Sequence, residues 1–253
     1  MPWTSISLAG HLCDVFDPAV RNAHGFVIVY LHGVHLTRLG DQPAFTAEFE
    51  RHGLPVVAPY TQRSWWTDRI CPEFDPALTA ERHVLDNVLP LIKERYEGEP
   101  PPAVIHVEPR IALLGTGMGG QGALRFAFKY PNRFPVVAAI SPAIDYQLRW
   151  NEGDETLPQM YSDPEAVRQD TATLHVHPLN WPRNIWFCCD PADERWHDSA
   201  DRLHMKLAAL GIPHEYDLDT TAGGHGFAYY NHMLPRALAF VAERLERERF
   251  RVT

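Results

Sequence analysis

The amino-acid sequence predicts an α/β fold: a central, mostly parallel sheet with an antiparallel N-terminal lead-in and helices on both faces, in one domain spanning residues 1–253. Three observations predict it. Short, continuous apolar runs recur at residues 26–31, 54–58, 111–115, 135–140 and 184–189, and such runs fit strands covered on both faces. Longer amphipathic stretches separate most of them, the alternation that builds parallel sheets. Two glycine-rich loops, 115–122 and 223–226, lie next to helix starts, where open α/β sheets gather their ligand-binding groups.

Composition narrows the function classes. The 253 residues are 45% hydrophobic with a formal charge of −9, enough chain for a sizeable core. An acidic chain offers no clustered Lys and Arg for phosphates or anionic lipid, so no nucleic-acid or membrane partner is expected. The start Met1-Pro2-Trp3-Thr4 lacks a basic, apolar leader, and no apolar run approaches the roughly 18 residues of a spanning helix. A cytoplasmic protein is expected. The four cysteines, Cys13, Cys71, Cys188 and Cys189, have no C-x-x-C spacing and are expected as buried free thiols.

Residues 3–15 alternate loosely and turn at Ala9-Gly10, an antiparallel hairpin leading into the sheet. The strand at 26–31 ends in His32-Gly33. A short helix over 42–51 closes at Gly53 and hands on to the strand at 54–58. The loop 60–72 then carries Arg63, Ser64, Trp65 and Trp66. Paired tryptophans are unfavourable in an exposed loop, so they wall a pocket or cap the core. Val84, Leu85, Val88, Leu91 and Ile92 share a face and predict a helix over 79–96, bent at Pro90. The run 98–102 reads as a turn-rich connector.

After the strand at 135–140, residues 141–182 contain no strand-like run, and so long a gap predicts a lid or cap insertion. His175 and His177 would share one face of a strand, as metal ligands do, but no acid or histidine with ligand spacing joins them, and no metal is expected. The strand at 184–189 runs into Asp190-Pro191-Ala192-Asp193. A helix over about 195–211 offers Leu203, Met205, Leu207 and Leu210 for burial, and an edge strand follows at 213–218. His225 stands among Gly223, Gly224 and Gly226, before a last helix reaching about 247. A histidine with no regular structure around it reads as one held for use.

The stretch from Ile111 to Arg125 organises the rest: a buried strand, a sharp glycine turn and the first turns of a helix. Gly115, Gly117 and Gly120 satisfy G-x-G-x-x-G, the dinucleotide fingerprint. Two features oppose that reading. Strand-like runs precede this one, and the next strand ends in Ser141-Pro142 where a ribose-binding acid would stand. No cofactor is expected. Read instead as G-x-x-x-G with a further glycine at 120, the stretch resembles the nucleophile elbow of the α/β-hydrolase superfamily, and within it the small esterases and acyl-peptidase-like hydrolases. Gly117 stands at the position of the nucleophilic serine.

The resemblance implies an α/β-hydrolase fold, a small ester as ligand and an acyl-enzyme mechanism. It implies catalytic positions in the order Gly117, Asp193, His225, with Asp190 the alternative acid. The oxyanion donors would be the backbone N–H groups of Met118 and of Val34 or His35, after the His32-Gly33 turn. His32, His35, Ser64, Trp65, Trp66 and Asp145 are candidate pocket residues. With Gly117 in the serine position, the chain is expected to be inactive or strongly impaired as a carboxylic ester hydrolase. Three readings are open: a substitution that inactivates an enzyme, a natural small-molecule-binding protein on an esterase scaffold, or a hydrolase with its nucleophile elsewhere. For the last, Ser64 is the candidate, since its loop follows a strand whose carboxyl end opens onto the same crevice.

Overall fold

A computed structural model describes residues 3–96 and 110–250; the connector at 98–102 lies outside the described residues. Strands β1 (Trp3–Leu8) and β2 (His11–Phe16) form the expected hairpin, with Ala9 and Gly10 both at positive φ. β2 pairs antiparallel with β4 (Val56–Pro59). From there β3 (Val27–Leu31), β5 (Ile111–Thr116), β6 (Val136–Ile140), β7 (Asn184–Cys188) and β8 (Glu215–Asp217) run parallel, in the sheet order β1-β2-β4-β3-β5-β6-β7-β8. β5 is a central strand, and its carboxyl end points at the glycine turn.

Alternation along the strands feeds two cores. Val27, Val29 and Leu31 face one, while Ile28 and Tyr30 face the other. The same alternation sends Cys188 and Cys189 to opposite faces, and both are free and buried. Burial pushes the Cys188 thiol up to about 12 and Cys189 higher still, so neither is a ready thiolate. Helices α1 (Pro43–His52) and α9 (Phe227–Arg249) cover one face. The other is covered by α4 (Met118–Lys129), α8 (His197–Ala209) and the helical run of α2 (Ala80–His83), a π turn (Val84–Val88) and α3 (Leu89–Tyr96).

The helix expected over 79–96 is interrupted ahead of Pro90 by that π turn. Pro90 has no N–H to donate, and just before it Leu89 N–H bonds to Val84 O, one residue further back than α spacing. On α8, Leu203 and Leu207 are buried, but Met205 and Leu210 are 53% and 38% exposed, against expectation. Met205 lies two positions from Leu203, on the opposite side of the helix, and Leu210 lies past its end. Among the described residues, no helix is long and apolar enough to cross a membrane.

Residues 141–182 hold the short helices α5 (Leu148–Asn151), α6 (Leu157–Met160) and α7 (Pro164–Arg168) and a 3₁₀ turn (Ala172–His175). An ion cluster ties this segment to α4. Arg125, 2% exposed, pairs with Glu81 before α4 and with Asp170 in the segment, at 2.6 Å to the latter. Lys129 Nζ and Tyr130 Oη each stand 2.6 Å from Glu81 Oε1, and His175 Nε2 stands 3.0 Å from Asp170 Oδ1. His177 Nδ1 accepts from Leu179 N–H. The two histidines of the H-x-H pair thus serve separate local contacts.

Burial opposes ionisation of Glu81 and Asp170. For Glu81 the Arg125 charge and the Lys129 bond outweigh it; for Asp170 the His175 bond and the Arg125 charge do so. Both carboxyls are therefore held below their ordinary range, and their contribution to stability is complete above about pH 5 and lost progressively as pH falls through the lowered values. Arg125→Met leaves the buried Glu81 and half-buried Asp170 carboxylates without their common partner and should destabilise the fold by about 3–5 kcal/mol at pH 7. Urea unfolding at pH 7 and pH 3 checks both parts: the wild type should lose stability on acidification more steeply than the variant.

Candidate active site

The site is built on the turn from β5 into α4. Gly117 has φ 55° and ψ −118°, a conformation that a side chain disfavours and glycine accepts. Two residues on, a Cβ at Gly119 would lie 1.8 Å from Leu31 O, so only glycine lets α4 cross the end of β3 this closely. Gly117 N–H donates to Ile140 O, and Gly117 O accepts from Gln121 and Ala143. Met118 opens α4, where the first N–H groups have no partner within the helix. The turn thus presents a free donor and a bare Cα at one place.

His225 faces that place from the loop before α9. Its Nδ1 stands 2.7 Å from Asp193 Oδ2, and a carboxylate can only accept, so Nδ1 carries the proton and Nε2 the lone pair. Asp193 is 4% exposed and also accepts from Trp196 N–H and the Cys189 thiol. Asp190 has a different task. Its carboxylate accepts from Ala192, Ala222 and Gly224 N–H at 2.7–2.8 Å, which staples the β7–α8 loop to the loop carrying His225. Burial disfavours that charge, but the Ala222, Ala192 and Gly224 donors outweigh it and hold the carboxyl below the usual range. Asp193 touches the imidazole; Asp190 positions the chain around it.

One partner of His225 has no counterpart among the candidate residues. Tyr230 Oη lies 2.8 Å from Nε2, and a Cβ at 117 would stand 3.3 Å from that oxygen and 3.4 Å from Nε2. Tyr230 belongs to the first turn of α9, where its N–H bonds to Gly226 O. The sequence signal was a tyrosine five residues after a loop histidine, but Tyr229 beside it reads the same, and only the start of α9 decides which one faces the site.

A cavity of about 90 Å³ opens here, lined among others by Val34, His35, Gly117, Met118, His225 and Tyr230. The remaining candidates lie elsewhere. Ser64 is fully buried and bonds to Thr61 Oγ1 at 2.8 Å. Trp65 and Trp66 are 1% and 0% exposed. Trp65 stacks on Tyr146 at 4.6 Å, and Trp66 Nε1 donates to His32 O. The rings join the core instead of walling the cavity, since their loop folds inward at positive φ at both tryptophans. Asp145 pairs with Arg202. His32 is buried, with Nδ1–H on Gly33 O and Nε2 accepting from Thr61 N–H. Burial pushes its pKa down to about 4, and the neutral ring links the loops after β3 and β4. No residue of 141–182 lines the cavity, and among the described residues no group of three His, Cys, Asp or Glu is placed to hold a metal.

Residues 15–241 match the Esterase family, described as "Putative esterase". No curated protein matches the sequence. Among solved structures, MPT51 (FbpC1) of Mycobacterium tuberculosis is similar at TM-score 0.73 and 14% identity, over 97% of this chain and 99% of that one. FphF of Staphylococcus aureus, titled a fluorophosphonate-binding serine hydrolase, aligns at TM-score 0.66 and 15% identity, over 96% and 99% of the two chains. An S-formylglutathione hydrolase from Agrobacterium tumefaciens aligns at 0.65 and 16%, over 99% and 95%. At these identities the structures speak to fold alone. Because the family match spans most of the chain, from β2 into α9, this protein belongs to the esterase family and has the α/β-hydrolase fold.

Proposed function

We propose that the chain binds small carboxylic esters in the Gly117–His225 cavity and that its turnover of alkyl esters by the serine route is close to background. One observation carries this: position 117 has the backbone of a nucleophile turn and no side chain, while a histidine–aspartate pair and the Met118 and Val34 segments surround it. The surroundings would hold an acyl group and its oxyanion, but no serine oxygen is there to attack. What remains without a nucleophile is on the order of 10³–10⁴ over water, from the oxyanion site and binding. A non-catalytic binding role is the second reading. It is favoured by the Tyr230 hydroxyl on Nε2, the atom that would accept the nucleophile's proton.

Restoring the serine tests the reading, but Tyr230 must be dealt with at the same time. A serine Cβ at 117 would press on Tyr230 Oη at 3.3 Å, and its oxygen would compete for Nε2. The double variant Gly117→Ser/Tyr230→Phe should therefore hydrolyse ethyl acetate at least about a hundredfold faster than the wild type. Acid release followed at constant pH measures this, and a double variant as slow as the wild type rejects an esterase site.

The single variant Gly117→Ser should gain much less. It should also be less stable, because a side chain at φ 55° costs on the order of 1–3 kcal/mol. At roughly 2–4 °C per kcal/mol for a chain of this size, the melting temperature should fall by several degrees. An unchanged melting curve removes the strain argument and leaves the chemistry standing.

A further inference from the structure

We propose that Tyr230 takes the place of the missing serine as the attacking oxygen, and that the substrates are acyl donors with good leaving groups, thioesters and aryl esters, in preference to alkyl esters. The proposal rests on the reading of the cavity as an acyl-binding site. The geometry carries it. Tyr230 Oη bonds to the same imidazole nitrogen that a serine would use, at 2.8 Å, and stands beside the space that a side chain at 117 would enter. With Nδ1–H committed to Asp193, the phenol O–H is the donor to Nε2. The relay Tyr230–His225–Asp193 therefore has the proton order of a serine triad.

Two further features fit an attacking group. The tyrosine is held in place: it is 5% exposed, and its ring meets His225 edge-on at 84° with centroids 5.6 Å apart, and Phe227 at 5.2 Å. Tyr230 also lines the same cavity as Val34 and Met118, whose backbone N–H groups are the candidate oxyanion donors. The absence of a side chain at 117 then becomes a requirement, because even a Cβ there would be in tight contact with the phenol oxygen.

The reaction balances as follows. Tyr230 Oη attacks the acyl carbon while its proton passes to His225 Nε2; the bond from the acyl carbon to the leaving sulfur or aryl oxygen breaks, and the leaving group takes that proton. An acyl-tyrosine remains. Water then attacks it, His225 accepts the water proton, the carboxylic acid is released, and the proton returns to Oη. The preference among substrates comes from the tetrahedral adduct, which expels whichever group carries negative charge more readily. A thiol ionises near 8.5 and a phenol near 10, whereas an alcohol resembles water at about 15.7. An alkyl ester adduct therefore returns to reactant by losing tyrosine, while a thioester adduct goes forward. Burial of Tyr230, with Tyr30 and Asp193 nearby, pushes its hydroxyl well above the ordinary phenol range, which makes tyrosine a poorer leaving group, so that thioester and aryl ester adducts go forward more readily, while the gap to an alkoxide narrows.

The test uses S-acetyl-N-acetylcysteamine as the thioester and ethyl acetate as the alkyl ester. The wild type should release thiol with a kcat/KM at least about a hundredfold above that for ethyl acetate, and acid-quenched protein should carry one acetyl group that peptide mass spectrometry places on Tyr230. Tyr230→Phe, checked by its melting curve, should lose the label and at least about a hundredfold in thioester turnover; His225→Ala should do the same. Thioester turnover that survives in Tyr230→Phe, an acetyl group on another residue, or a wild type inert toward the thioester overturns the proposal. The Gly117→Ser/Tyr230→Phe variant separates the two readings. If it gains alkyl-ester activity while Tyr230→Phe leaves thioester turnover unchanged, the acyl site stands and the tyrosine only fills it. If neither protein turns over any ester, the acyl-site reading fails as well.

Discussion

The site depends on how closely α4 crosses the end of β3. Gly119 brings the helix onto Leu31 O at a distance that no side chain permits, and the chain must therefore reverse sharply between Thr116 and Met118. That reversal forces the positive φ at Gly117 and leaves the first N–H groups of α4 without a partner inside the helix, at the carboxyl end of β5. The cavity, the imidazole and the phenol are all arranged around this one approach of helix to strand. A larger residue at 119 would move the helix, and the rest of the site would lose its reference point.

Polar groups around the site are assigned in pairs, each with its own task. Asp190 and Asp193 sit on one short loop after β7, yet one accepts only backbone N–H groups and the other accepts the imidazole. The loop carrying His225 contains three glycines and has little structure of its own, so the two bonds from Ala222 and Gly224 to Asp190 define its path. On the far side of α4, the Arg125 cluster performs a comparable service for residues 141–182, anchoring a segment with no strand and four short turns of helix to the middle of the fold. Both devices place charge inside the protein only where several donors meet it.

Gly117 and Tyr230 make sense only together. Gly117 offers the imidazole no side-chain oxygen, and the Tyr230 hydroxyl, from the first turn of α9, occupies its Nε2 instead. A Cβ at 117 would stand 3.3 Å from that hydroxyl, so the bare backbone of the turn and the position of the phenol are two sides of one packing arrangement.

The strand runs, the glycine turn and the positions of Asp193 and His225 were legible in the sequence because each is a local pattern. Apolar runs mark covered strands, glycines mark close approach, and a histidine among glycines marks a loop built for use. Even the irregularity around Pro90 was a local signal, although its form as a π turn was not. What the sequence could not determine was everything set by contacts between distant segments. Trp65 and Trp66 looked equally suited to a pocket wall and to the core, and only the packing of Tyr146 on Trp65 and of His32 O on Trp66 decided for the core. Met205 lost its place inside because α8 can offer the sheet one face only. Tyr230 was invisible as a site residue, since its meaning comes from a space at position 117, more than a hundred residues earlier, that only the folded chain brings within reach of its hydroxyl. Periodicity and turn chemistry act between near neighbours and survive in the sequence; complementarity of shape and charge across the fold exists only once the sheet has assembled.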